Sequence, residues 1–255
     1  MFWVVQENIK DEATYDHFIQ ALYALNIEHT LVKVVPFSHD VIPDVNPTGR
    51  VMVWGSTTLD LVAKNKGWKP GTFLNENFDQ RIWRTKYPTL NDDAEIHEFG
   101  SIPAFEGTRF IRPVHDMKVF AGMVIHNVEL EQWKETIQRY SDGYITLRPE
   151  TPVSISSVKD IEMEWRFFVV SGKVVAGSRY RQWGLSDHRR IYAASEPWKF
   201  AQEMVDRWQP NEAFVIDLAK EHNDPSFKVI EVNCINSAGF YECDMKAVIE
   251  AIERL

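Results

Sequence analysis

The sequence predicts an α/β protein in which a parallel βαβ unit is followed by two α+β lobes. Three observations carry this. About the first 85 residues alternate short apolar runs with segments of helical spacing, the pattern of strands joined by crossover helices. Beyond about residue 100 the pattern changes to strand pairs closed by turn residues and separated by single helices. The 255 residues are 44% hydrophobic and 25% charged, enough to bury the cores of two or three compact subdomains.

FWVVQ (2–6) reads as a short apolar strand. Residues 11–25 place Tyr15, Phe18, Ile19, Leu22 and Leu25 on one helical stripe. HTLVKVV (29–35) and VMVW (51–54) are further strands. STTLDLVAKNKG (56–67) is a helix with Ser56 as N-cap and Gly67 as stop. Gly55-Ser56 falls where ligands sit in open α/β sheets, although a plain tight turn explains it equally. FDQRIWRTKY (78–87) is expected as a helix and NDDAEIHEFG (91–100) as a helical bridge.

In the second half, 108–125 reads strand, loop, strand, and 127–141 an amphipathic helix. Residues 162–180 form a hairpin closed by Ser171-Gly172, a two-residue turn signal. A helix at 196–208 carries Pro197 in its first turn. A hairpin at 212–233 turns around 223–226, and the last dozen residues close the chain as a helix. The expected units are a Rossmann-like 1–88, a small lobe 89–152 and a large lobe 153–255.

The formal charge of −9 argues against a broad nucleic-acid surface, which needs a basic face. Cys234 and Cys243 are too few for a disulfide framework or a zinc site and are expected as buried hydrophobes. MFWVVQENIK shows no basic stretch leading into an apolar one, and no run approaches the ~20 apolar residues of a membrane span. A soluble, cytoplasmic protein without a membrane partner is expected.

Hairpin arithmetic then places chemistry, because opposed residues in an antiparallel pair keep a constant number sum. With the last hairpin folded about Asp224, Asp217 lies opposite Glu231 on one face, with Asn233 a diagonal step along. Two buried carboxylates side by side repel unless a cation such as Mg²⁺ stabilises both. A solvated sheet face is the plain alternative, opposed by the apolar runs that flank both acids. A loop centred on His115 puts Arg112 opposite Lys118, a pair suited to a polyphosphate or simply two exposed cations. In 162–180, Glu164 and Arg166 share a face and Arg179 falls opposite Glu164, a cluster that an ion-pair network would also explain. His115 and His188 are expected at the surface. Walker, G-x-G-x-x-G, G-x-S-x-G and H-E-x-x-H motifs are absent.

These motifs resemble the ATP-grasp superfamily over nearly the whole chain. An acidic strand residue (Asp217) precedes E-x-N (Glu231-Val-Asn233) and a small-residue segment, Asn236 to Gly239. EWRFFVVSGKVVAGSRY is similar to the family's E-x-R-x-x-V-x-x-G-x-V hairpin. FIRPVHDMKVFAG is similar to its K-P strand and phosphate loop, with Arg112 where many members carry lysine. VWGSTTLDLVAKNKGWKPGTF looks like the small ATP-grasp proteins of phages and bacteria. The resemblance implies Asp217, Glu231 and Asn233 as ligands of Mg²⁺, two ions being expected and Mn²⁺ able to substitute. It implies ATP contacts from Arg112, Lys118, Glu164 and Arg166, and adenine near the linker 151–155, at Ser154 and Ile155. Arg166 would face the terminal phosphate, and Lys118 would supply the ammonium that Arg112 does not. Asn236, with Ser237, would orient the acceptor, so that Arg166, Lys118 and Asn236 form the catalytic set.

The implied reaction is carboxylate–amine ligation through an acyl-phosphate, releasing ADP and phosphate, with small-molecule or peptide substrates and a possible homodimer. A kinase using the same cleft and a non-catalytic ATP-binding module are the alternatives.

Overall fold

The computed structural model describes residues 1–9, 14–35, 38, 40–115, 119–140 and 146–255. Its strands fall into three sheets. The first unit comprises β1 (Phe2–Gln6), α1 (Tyr15–Ala24), β2 (His29–Val34), β3 (Val41–Ile42), β4 (Val51–Trp54), α2 (Thr57–Asn65) and β5 (Pro70–Gly71). Its strand order is β3-β2-β1-β4-β5, parallel except for β2–β3. The fully buried runs of β1 and β4 explain why these strands read as continuous apolar segments.

α3 (Gln80–Trp83) bridges to the second sheet and is one turn long, shorter than the expected 78–87. That sheet is built from β6 (Glu95–Glu98), β7 (Thr108–Pro113), β8 (Met123–His126) and β9 (Pro152–Ser156), ordered β6-β9-β7-β8, and is backed by α4 (Asn127–Arg139). The helical bridge expected at 91–100 is therefore corrected. Its acidic composition favours helix locally, but pairing of Glu95–Glu98 with distant β9 makes it a strand. β9 extends to Ser156, so the expected lobe boundary at 152/153 cuts through a strand.

The third sheet holds β10 (Ile161–Val170), β11 (Lys173–Gln182), β12 (Leu185–Ile191), β13 (Ala213–Glu221) and β14 (Phe227–Cys234), ordered β12-β11-β10-β13-β14, with α5 (Glu196–Arg207) and α6 (Met245–Glu253) packed on it. Ser171 and Gly172 both take positive φ, as the two-residue turn requires. The two faces of β10 divide the labour. Trp165 and Phe167 meet Phe227 and Trp198 on the helix side, while Glu164 and Arg166 line a cleft on the other. Gly177 accommodates Phe167: a Cβ there would lie 2.5 Å from its ring.

The first unit is stapled to the third sheet just past β14. Asn236, with no exposed surface, donates from Nδ2 to the carbonyls of Val53 (2.7 Å) and Gly71 (3.1 Å), and its Oδ1 accepts from the Phe73 N–H (2.9 Å). Gly55 N–H donates to the Asn236 carbonyl at 2.9 Å. Ser56 starts α2 as expected, yet its hydroxyl caps nothing; it donates to Gln6 Oε1 at 2.7 Å. The Gly55-Ser56 edge is thus spent on packing. Cys234 and Cys243 are buried and free. Among the described residues no helix is long and apolar enough to cross a membrane.

Candidate active site

A cavity of about 830 Å³ opens between the second and third sheets. Its floor is β10, β13 and β14. Asp217 pairs directly with Glu231, as the hairpin arithmetic predicts, and Asn233 follows opposite Val215. A bulge at Ile230, between the Asp217–Glu231 and Leu218–Val229 pairs, preserves that register at the site.

Each acid meets an arginine. Arg166 grips Asp217 with two hydrogen bonds, Nε to Oδ1 at 2.9 Å and Nη2 to Oδ2 at 2.6 Å. Arg112, descending from β7, lies 2.5 Å from Glu231 through Nη2, donates to the Ile230 carbonyl at 3.4 Å, and sits over the Trp83 ring at 6.0 Å. Asn233 Nδ2 donates to Glu231 Oε1 at 2.8 Å. Burial, reinforced by Glu231, pushes the Asp217 carboxyl up to about 6 despite Arg166. Arg166 is itself lifted above its ordinary value: burial opposes its charge, but Asp217 outweighs it.

Asp217, Glu231 and Asn233 supply the hard oxygen donors that Mg²⁺ takes. Among the described residues no group of three or more His, Cys, Asp or Glu forms a closed cage. Two carboxylates and an amide fit an ion that completes its shell with phosphate oxygens and water.

Glu164 lies in the cleft wall and accepts from the Tyr180 hydroxyl at 2.8 Å and from Arg181 at 3.4 Å. The expected Glu164–Arg179 pair is corrected. Bulges at Val175 and Tyr180 shift the β10–β11 register by two residues, so Arg181 stands opposite Glu164 and Arg179 bonds Asp187 instead. The β7–β8 register is corrected too: Ile111 pairs with Met123, which brings Arg112 level with Gly122 rather than Lys118. Lys118 lies outside the described residues.

Ser154 and Ile155 lie within β9, where Ser154 pairs with Arg112 and Ile96, and neither lines the cavity. The wall at that end is Val158 to Ile161, just beyond the strand. Asn236 does not line the cavity either. Its amide is consumed by the staple described above, which corrects its expected role on an acceptor. His115 lies at the cleft wall 3.2 Å from Asp79, and His188 packs on Tyr241 with ring centroids 5.1 Å apart.

Tyr180, Arg181, Trp183 and Tyr241 also line the cleft and were not singled out from the sequence. Tyr180 is the extra residue of a bulge, which no local pattern marks. Tyr241, just past the small-residue segment, was the more discoverable of the two.

No curated protein matches the sequence. Solved structures share the fold. D-alanine–D-alanine ligase from Bacillus anthracis aligns over 99% of this chain and 92% of its own, with TM-score 0.65 and 12% identity. The D-cycloserine synthetase DcsG aligns over 99% of both chains, with TM-score 0.64 and 9% identity. The ATP-grasp ligase PsnB, solved with a minimal precursor, aligns over 99% of this chain and 98% of its own, with TM-score 0.55 and 13% identity. An ATP-grasp domain family, the third family of its clade, matches residues 27–252, and the chain belongs to it.

Proposed function

We propose that the protein is an ATP- and Mg²⁺-dependent ligase that joins a carboxylate to an amine through an acyl-phosphate, releasing ADP and phosphate. The observation that carries this reading is the face shared by Asp217, Glu231 and Asn233, set beneath Arg112 and beside Arg166 in a cleft between two lobes. The described lining of that cleft contains no Ser, Thr or Cys, so a protein nucleophile is not what it offers. Phosphoryl transfer asks instead for positioning and charge neutralisation.

Asp217, Glu231 and Asn233 would hold Mg²⁺, which neutralises charge on the phosphates when bound. Arg112 then exchanges its contact with Glu231 for a phosphate oxygen, and Arg166 stabilises charge on the transferring group. The base lies toward Val158 to Ile161, the apolar and hinge-like end of the cavity. The substrate carboxylate attacks the terminal phosphorus and ADP leaves. The amine nitrogen next attacks the acyl carbon, phosphate departs, and the nitrogen loses a proton. PsnB is solved with a precursor peptide and the Bacillus enzyme is named for D-alanine, which supports a peptide or small-molecule acceptor here.

Hydroxylamine trapping tests the reading. ATP, Mg²⁺ and a panel of carboxylates should yield a hydroxamate together with ADP. A phosphorylated alcohol with no hydroxamate identifies a kinase instead. ATP binding without turnover across the panel points to a binding module.

A further inference from the structure

Arg166 is constrained on several sides at once. Its Nε and Nη2 reach both oxygens of Asp217, and its Nη1 donates to the Gly239 carbonyl at 3.2 Å. Three of the five guanidinium hydrogens are used in this way, leaving one on each terminal nitrogen. The flat face of the group meets two aromatic rings, with Cζ 5.1 Å from the Tyr241 centroid and 5.9 Å from that of Tyr180. The rings stack on each other at 4.8 Å and 13°. Tyr180 is pinned through its hydroxyl on Glu164.

Tyr241 reaches this position through a left-handed backbone, φ 51°, which any residue with a Cβ disfavours. The preceding residue explains how it is held. Phe240, 2% exposed, stacks on Phe168 at 4.7 Å and 5° and on Phe18 at 5.5 Å and 25°. With residue 240 locked in the core, the left-handed turn at 241 throws its ring back over Arg166 in the cleft wall. Plain core packing needs no such conformation at a cavity-lining residue.

We propose that Tyr241, backed by Tyr180, is a positioning residue: it fixes the plane of the Arg166 guanidinium so that its remaining hydrogens meet the terminal phosphate, which sets the preference for a nucleoside triphosphate over a diphosphate. The consequence for nucleotides rests on the reading of Arg166 given under Proposed function.

Calorimetry with Mg²⁺–ATP and Mg²⁺–ADP compares wild type, Tyr241→Phe, Tyr241→Leu and Arg166→Ala. Losing an aromatic contact to a cation is felt at about three- to thirtyfold. Tyr241→Leu is therefore expected to cut the ATP-over-ADP preference about fivefold while ADP affinity holds, and Tyr241→Phe to retain the preference. ATP and ADP affinities that fall together in Tyr241→Leu, or do not move, overturn the proposal if Arg166→Ala abolishes the preference. A preference unchanged in Arg166→Ala overturns the terminal-phosphate reading instead. Positioning itself is read without nucleotide, from rotation of the Arg166 guanidinium about Nε–Cζ by NMR, assigned through Arg166→Lys. Tyr241→Leu should speed that rotation about fivefold and Tyr241→Phe should not. Equal rates in wild type and both Tyr241 variants overturn the proposal whatever the nucleotide results.

Discussion

Asn236→Ala separates a staple from a catalytic group. The side chain makes three hydrogen bonds, to Val53, Gly71 and Phe73, in a region closed to water. Each such bond contributes about 1 kcal/mol net, and a buried partner left unpaired costs about 1–3 kcal/mol more. Carbonyls with other partners lose little, whereas the Phe73 N–H loses its acceptor, so the total comes to about 3–5 kcal/mol. For a chain of this length each kcal/mol moves the midpoint about 2–4 °C, so thermal unfolding should begin roughly 10 °C lower. Urea denaturation gives the free energy directly. Calorimetry well below the transition should show Mg²⁺–ATP affinity within about twofold of wild type, because the amide touches nothing in the cleft. Stability within about 1 kcal/mol of wild type together with lost ADP release would refute this reasoning.

Two further outcomes follow from the same geometry. Since burial raises Asp217 to about 6, a proton competes with Mg²⁺ below that pH; apparent Mg²⁺ affinity should fall about tenfold per unit below pH 6 and flatten above pH 7, as read by titration from pH 5 to 8. In metal-free protein the same raised carboxyl contributes stability that is fully present below its ordinary 3.8 and lost as pH rises through about 6, so Mg²⁺ should stabilise most above pH 6. Gly177→Ala would drive a methyl to 2.5 Å from the Phe167 ring and should cost about 1–3 kcal/mol in urea unfolding, with nucleotide affinity unchanged.

Local signals carried much of this fold. Apolar runs and helical stripes marked β1, β2, β4, α1 and α2, and Ser171-Gly172 marked its hairpin. Asp217, Glu231 and Asn233 were legible because flanking apolar residues fix which face a strand buries. What failed depended on distant partners. Glu95–Glu98 becomes a strand only through β9, more than 50 residues away. Arg181 replaces Arg179 because two bulges, invisible in composition, add two residues to one strand. Asn236 looked like a site residue because small polar residues after a metal-binding strand suit a ligand equally well. The carbonyls of Val53 and Gly71 that claim it belong to another sheet.

The account turns on whether Glu231 and its neighbours bind a metal–nucleotide complex. The direct measurement is calorimetry of ATP binding with and without Mg²⁺ on wild type and Glu231→Ala, with circular dichroism to confirm that both are folded. The account predicts binding that requires Mg²⁺ in the wild type and collapses in the variant. Binding absent from folded wild type, or present without Mg²⁺ and indifferent to Glu231, would contradict it.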